Sequence, residues 1–233
     1  RRHVSLVFDM LWKNDASNGL GTYTWPNGDK FVGAFENGKG SQGTFFWADG
    51  RIYIGTMKDG VLTGEGTFTF PKGIVYVGEF KNGMMHGQGK VTSPNGVIYI
   101  GEVKYDKKNG KGTLTSPDYN YSGDWKDGKR YGKGTTTYKQ SNNHMFKSGM
   151  KYIGDYINNK RNGKGIFLWP EGAKYEGEWL NDMYHGQGNF TWPTGERFVG
   201  QYRFGKKEGI GKLYYNDGRI REGLYKNDVY QED

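Results

Sequence analysis

Few residues of this chain are of the types that do chemistry, and their spacing decides against most of it. Gly38-Lys39-Gly40-Ser41-Gln42-Gly43 fits Gly-x-Gly-x-x-Gly, the backbone cradle of a dinucleotide phosphate. That chemistry needs the glycines to leave a strand and open a helix. Here Thr44 to Trp47 continue as strand-like residues, and the same glycines recur throughout the chain. Of the four histidines, His86 and His185 occupy equivalent His-Gly-Gln-Gly segments about four repeats apart. At roughly 10 Å per repeat they cannot share a metal. His3 and His144 stand in weakly patterned segments, and no cysteine is present, which removes disulfides and cysteine zinc sites. No Ser, His and Asp set converges by spacing. The expectation is a chain with no catalytic residues, no metal site and no cofactor: a non-enzyme.

Charge is the next candidate. Residues 99–164 hold 14 basic and 6 acidic side chains, a surplus equal to the whole net charge of +8. The basic residues recur at one place in successive repeats: Lys104, Lys107, Lys108 and Lys111, then Lys126, Lys129, Arg130 and Lys133, then Lys160, Arg161 and Lys164. Their spacing predicts one basic rim with groups about 10 Å apart. Such a rim would attract acidic phospholipid, acidic tails or an acidic helix. The alternative is a solvated edge that keeps an open sheet from pairing. Nucleic acid is not expected, because aromatics are not interleaved with this rim.

The elements that carry these residues follow from a period. Tyr-x-Gly-x-aromatic returns with leading residues Phe8, Phe31, Tyr53, Tyr76, Tyr99, Tyr121, Tyr152, Tyr175 and Phe198, 22 or 23 residues apart except for one interval of 31. A fixed period of this length predicts an array of stacked units. Within each unit polarity alternates with period two, as in Tyr76-Val77-Gly78-Glu79-Phe80, so each unit reads as two short strands with one aromatic-glycine face. Pro26-Asn27-Gly28, Pro71-Lys72-Gly73, Pro94-Asn95-Gly96, Pro170-Glu171-Gly172 and Pro193-Thr194-Gly195 predict type I turns, with Gly taking the positive φ. Lys81-Asn82-Gly83 marks the turns at the other edge. Turns this short make neighbouring strands antiparallel. A glycine between two aromatics predicts room for a ring from a neighbouring strand. The fold expected is all-β: one elongated antiparallel meander of about nine stacked hairpins, curled about its aromatic face into a twisted rod roughly 85 Å long. Residues 1–7 form a flank, 8–225 the array with an insertion at about 139–147, and 226–233 a tail.

Composition agrees. Aromatic residues are 16% of the chain and glycines number 40, without a Gly-X-Y triplet period, which excludes collagen and a disordered linker. The longest apolar runs fall far short of the ~20 residues of a membrane span. Val4 to Trp12 carries Asp9 and lacks a small-residue cleavage site, unlike a signal peptide. Absence of cysteine leans towards a reducing compartment such as the cytosol. A start at Arg1 rather than Met is what a fragment of a longer protein would show.

Tyr121-Ser122-Gly123-Asp124-Trp125 with Gly128 and Gly132-Lys133-Gly134, and the equivalent run from Tyr175 to Gly188, resemble the MORN repeat (membrane occupation and recognition nexus). The resemblance extends from Phe8 to about Tyr225. It departs from the pattern at Met10, at Arg221 and at the long interval near His144. It implies the same meander and, in most members, no enzymatic activity. It also implies roles such as ciliary radial-spoke components, cytoskeletal scaffolds, junctional membrane proteins, and regulatory parts of lipid kinases and methyltransferases.

The aromatic lining thins midway, where Ser93 and Ser116 replace Trp or Phe and Val103 replaces the first-strand aromatic. A trough lined by Val91, Ser93, Val103, Leu114 and Ser116 is therefore expected to receive a partner helix or peptide. The function expected is a protein-binding scaffold or structural subunit of a cytoskeletal assembly, of the cilium or axoneme, in the cytoplasm. The alternatives are a membrane-peripheral module binding acidic phospholipid through the rim, and a regulatory fragment of a larger enzyme. Open strand edges at both ends also suit pairing into a homodimer.

Overall fold

The computed structural model describes residues 11–13, 16–139 and 147–232. Phe8, Met10, His3, His144 and most of the expected insertion lie outside them. All regular structure among the described residues is β, in twenty strands without a helix. Consecutive strands pair antiparallel, as Lys151–Ile157 does with both Lys129–Tyr138 and Lys160–Leu168. The result is the expected open meander of hairpins. The chain divides into two compact units, one ending at Gly110 and the other starting at Lys111.

One hairpin of the second unit explains the others. Tyr152 lies opposite Phe167, and Gly154 opposite Gly165, in normal register. The next pair is Asp155 with Asn162, so Gly163 and Lys164 are extra residues forming a bulge. Gly163 takes φ +62, the left-handed conformation such a bulge needs. The bulge breaks the ladder, and two polar contacts repair it. The Asp155 carboxylate accepts the backbone N–H of Lys164 at 3.0 Å, and the Tyr152 hydroxyl donates to the Asp155 carbonyl at 3.0 Å. The same tyrosine-to-carbonyl bond recurs at Tyr53, Tyr76, Tyr99, Tyr121 and Tyr175, between 2.7 and 2.9 Å. To reach that carbonyl the tyrosine must lie flat along its own strand. Its ring therefore covers the glycine two residues on, and the glycine opposite. The ring thus stays within its own hairpin: Gly165 lies under a ring from the neighbouring strand, as expected, and Gly154 lies under the ring of its own strand.

The flat tyrosines are 0–1% exposed. Tyr76, Tyr121, Tyr152 and Tyr175 are each capped edge-on by the aromatic four residues later, whereas Tyr53 and Tyr99 have Met57 and Val103 there. In the second unit T-shaped contacts run from Trp125 to Tyr121, Tyr156, Tyr152, Trp179, Tyr175, Tyr202, Phe198 and Tyr225, with centroids 4.9–5.5 Å apart. That is the spacing favoured by ring quadrupoles. In the first unit the row is sparser, linking Phe31 to Phe35 and both Tyr53 and Tyr76 to Phe80.

Both turn families are as expected in position. In Trp169-Pro170-Glu171-Gly172, Gly172 N–H bonds the Trp169 carbonyl at 3.0 Å, with Gly172 at φ +95. One departs from type I: at Pro71-Lys72-Gly73, Lys72 itself has φ +73, so the corner is of the type II kind. The opposite turns have two positive-φ residues, such as Asn82 and Gly83 at 53° and 80°, the type I′ hairpin that matches strand twist.

Candidate interaction surfaces

The eleven basic residues do not form one row. The bulge and the period-two alternation send them in three directions. Lys104 and Lys107 in the first unit, and Lys126, Lys129 and Lys160 in the second, flank type I′ turns and are exposed. Lys111 pairs with Asp124, and Lys133 with Asp155 at 2.6 Å, on the face away from the rings. Lys164 stands opposite Glu178 on that same face.

Lys108, Arg130 and Arg161 turn towards the aromatic face instead. Arg161 is the register partner of Tyr156. Its guanidinium lies 4.4 Å from the Trp179 ring centre and 5.2 Å from that of Phe167. Arg130 lies 4.9 Å from Tyr156 and 5.6 Å from Tyr121. Lys108 sits 5.2 Å over Tyr99, and burial lowers its pKa. These cations cap the ring row as Leu62, Met85 and Tyr184 do at the same position elsewhere. They contribute cation–π attraction and cover apolar surface with their stems. Their role is packing, so of the eleven an anionic partner could meet only the turn lysines and the exposed Lys111, Lys133 and Lys164 of the opposite face.

Arg161 is held by a contact that the spacing did not reveal. Asp182, the second corner residue of the next type I′ turn, accepts from Arg161 N–H at 2.9 Å and from its Nε at 3.1 Å. The Asp182 backbone N–H returns a bond to the Arg161 carbonyl at 3.0 Å. Asn159 grips Arg130 in the same reciprocal way, Asp106 grips Met85, and Asp228 grips Lys207. Turns with Gly at that corner, such as Gly83 on Leu62 and Gly205 on Tyr184, keep the backbone bond alone. An acid or amide in place of the second turn glycine is the sequence signal for this latch.

The expected trough is largely filled. Val103, Leu114 and Ser116 are 4%, 6% and 7% exposed, too covered to meet a partner. Val91 and Ser93 remain half-buried. Ser116 closes a local turn by bonding Tyr119 through both its hydroxyl and its N–H. A small residue there does not leave a gap, because the side chain bonds its own backbone.

The face opposite the rings also carries accessible apolar surface. In the first unit one register row runs Val32, Thr44, Ile54, Thr67, Val77, Lys90 and Ile100. Ile54, Val77 and Ile100 are about half exposed. In the second unit the same row becomes Ser122, Thr135, Ile153, Ile166, Glu176 and Asn189. There a groove of about 640 Å³ is lined by Lys133, Ile153, Lys164, Ile166, Glu176 and Glu178, among others. This groove lies on the polar face, where no ring fills the space between strands.

His86 packs on Tyr105 and His185 on Phe204, with centroids 5.7 and 5.5 Å apart. Among the described residues no three His, Cys, Asp or Glu side chains could share a metal ion. No helix among them is long and apolar enough to cross a membrane.

With this geometry in hand, the family model described as MORN repeat matches residues 11–30, 31–50, 53–75, 76–98, 99–120, 121–142, 152–174, 175–197 and 198–218. Among curated proteins, none matches this sequence. Similar solved structures include the G-box domain of the microcephaly protein CPAP, at 15% identity and a TM-score of 0.46, covering 89% of this chain and 100% of that one. A mutant TCP10 domain of Danio rerio CPAP has 14% identity and a TM-score of 0.42, covering 94% and 99%. The SAS-4 (dCPAP) TCP domain of Drosophila melanogaster, solved with a proline-rich motif of Ana2, has 9% identity and a TM-score of 0.31, covering 88% of each chain.

Proposed function

The chain belongs to the MORN repeat family, and from that premise we propose that it is a non-enzymatic protein-binding scaffold, a structural subunit of a cytoskeletal assembly such as the ciliary axoneme. The observation that carries this reading is the row of exposed β-branched residues on the first unit's polar face. Val32, Ile54, Val77 and Ile100 stand two strands apart at one register position. A sheet face of this kind, with Lys90 as the one charge in that row, suits packing against another protein. The aromatic and glycine residues that dominate the sequence are taken up mainly by packing the sheet on itself. The test is co-purification of partners by the whole chain and by an Ile54→Lys, Val77→Lys variant. Loss of specific partners from the folded variant is expected; an unchanged partner set would remove this face from the function.

A second reading is a membrane-peripheral module that binds acidic phospholipid. Its support is the exposed turn lysines, Lys104 and Lys107 in one unit and Lys126, Lys129 and Lys160 in the other. Binding of this kind requires anionic headgroups and falls steeply with salt. Docking on the β-branched row is much less salt-sensitive, so vesicle sedimentation across a salt series separates the two.

A further inference from the structure

In the second compact unit, Trp169, Trp192 and Tyr215 stand at the same place in successive repeats. Each closes an identical turn. Its N–H bonds the carbonyl four residues on (Ala173, Glu196 and Arg219), and its own carbonyl accepts the N–H three residues on (Gly172, Gly195 and Gly218). All three rings are half-buried on the aromatic side of the sheet. Trp169 and Trp192 are supported by intervening rings, with centroids 4.4 Å between Phe167 and Trp169, 5.5 Å between Trp169 and Phe190, and 4.8 Å between Phe190 and Trp192. They form a ladder that crosses the strands at one rung per two strands.

The rung spacing selects what can lie on it. Two strands at about 4.8 Å each put rungs about 9.6 Å apart. A polyproline II helix rises about 3.1 Å per residue with three residues per turn, so it presents one face every 9.3 Å or so. An α-helix offers the same face at seven-residue steps of about 10.5 Å, and drifts by nearly 2 Å over three rungs. An extended strand repeats its face at about 6.7 Å and misses alternate rungs. Proline rings at every third position would meet three aromatic rings in turn, the contact that aromatic grooves use for such segments.

Charge marks the Tyr215 half of the row. Arg221 is exposed and lies 5.6 Å over the Tyr215 ring. Arg219 lies over the same ring at 5.0 Å but is paired with Asp217. Lys207 Nζ also stands 4.9 Å over the Trp192 ring, so positive charge covers the middle rung and the end at Tyr215. We propose that this row is the docking site of a proline-rich segment in the polyproline II conformation, with a proline at every third position and an acidic residue at the end that reaches Arg221. The proposal rests on the scaffold reading and names the backbone form and charge of one partner.

The experiment is titration of the whole chain, followed by tryptophan fluorescence and calorimetry. One peptide has three prolines at three-residue spacing and a terminal acidic pair. A second has the same composition with the prolines adjacent, and a third has a terminal lysine pair. Saturable binding of the first is expected, with at least tenfold weaker binding of the second. Trp192→Ala should weaken the first peptide at least tenfold. Should that variant not fold, Arg221→Glu, at an exposed site, decides the matter: it should weaken the acidic peptide and strengthen the lysine-ended one. Equal binding of the first two peptides overturns the proposal. So does an Arg221→Glu variant indifferent to peptide charge, preference for an amphipathic helical peptide, or no binding by the folded protein. The scaffold reading survives any of these if partners are still lost on Ile54→Lys, Val77→Lys, since those residues lie in the other unit and on the other face.

Discussion

The Tyr152 ring lies directly on Gly165. A Cβ placed at Gly165 would sit 2.6 Å from two of the ring carbons, and the ring cannot lift because its hydroxyl is bonded to the Asp155 carbonyl. Gly165→Ala must therefore displace the ring that the next repeat's Trp179 also caps. A loss of about 2–3 kcal/mol is expected, at the upper end for overpacking. Gly163→Ala meets strain in the backbone, at φ +62, and puts its Cβ 2.8 Å from the Asp155 carboxylate, the far end of a side chain that can shift, and should cost nearer 1–2 kcal/mol. Urea unfolding of the two variants checks the order; an alanine at 165 tolerated better than one at 163 would mean the ring is not pinned.

The tyrosine hydroxyl explains why these positions are not phenylalanine. Removing it leaves the bulge carbonyl without that partner in a covered place, which costs about 1–2 kcal/mol. Tyr152→Phe and Tyr76→Phe should both lose stability on that scale. Phe31 and Phe198 occupy the equivalent position and lie over Gly43 and Gly211. Phe198→Tyr is accordingly expected to be neutral or stabilising by up to about 1 kcal/mol. Thermal melts that show Tyr152→Phe unchanged would contradict this account.

Alkaline pH should unfold the protein through the same residues. Burial raises the Tyr53, Tyr156 and Tyr184 hydroxyls to about 12 and pushes Tyr152 and Tyr202 higher still. The unfolded chain begins to release these protons near pH 10. Below that pH both states hold them and the contribution is complete. Above it the unfolded state binds fewer protons, and stability falls with rising pH up to the folded values. Denaturation midpoints should be flat with respect to these groups near neutrality and drop beyond about pH 10. Phenolate absorbance should rise together with loss of the β-sheet circular dichroism signal. Tyrosines that titrate at their ordinary value while the sheet persists would show that the rings are accessible.

The period, the hairpins and the aromatic face were legible because alternation in a strand is local: Tyr152, Gly154 and Tyr156 share a face whatever lies beyond. The destination of Arg130 and Arg161 was not, since it depends on the two extra residues of each bulge, which shift the register of everything between the turn and the glycine pair. A signal did exist. Leu62, Met85, Lys108, Arg130, Arg161, Tyr184 and Lys207 share one repeat position, and all have long side chains able to cover a ring. Reading Lys108, Arg130 and Arg161 by charge alone hid what they have in common with Leu62 and Met85. The trough expected at Val103 and Leu114 is absent for a related reason: a smaller side chain is not open space, and both are buried.

The latch at Asp182 separates backbone from charge. Asp182→Gly keeps the left-handed corner, at φ +71 in the native turn, and keeps the bond from its N–H to Arg161. It removes the two bonds that the carboxylate accepts. A cost of about 1–2 kcal/mol is expected for a site this exposed. Asp182→Asn should retain the backbone-directed bond, as Asn159 does towards Arg130 at 2.8 Å, and cost about 0.5 kcal/mol. Equal losses for the two variants, measured by urea titration, would mean that the ion pair and not the backbone bond holds the turn.

The turn lysines and the capping arginines should respond oppositely to charge reversal. Lys126 and Lys129 flank the Asp127–Gly128 turn and are exposed, so Lys126→Glu with Lys129→Glu should leave the melting temperature within a degree or two. Arg130 lies over Tyr119, Tyr121 and Tyr156, and bonds the Asn159 carbonyl at 2.8 Å. Arg130→Glu would bring an anion against the negative faces of those rings and an acceptor against an acceptor, costing about 2 kcal/mol or more. A reversal that includes Arg130 therefore confuses unfolding with lost binding. The lysine pair alone reports on surface charge: if anionic vesicles bind through these turns, the pair variant should release them at every salt concentration while remaining folded. Retained vesicle binding would exclude this edge, leaving the β-branched face and the ring ladder as the surfaces through which the protein acts.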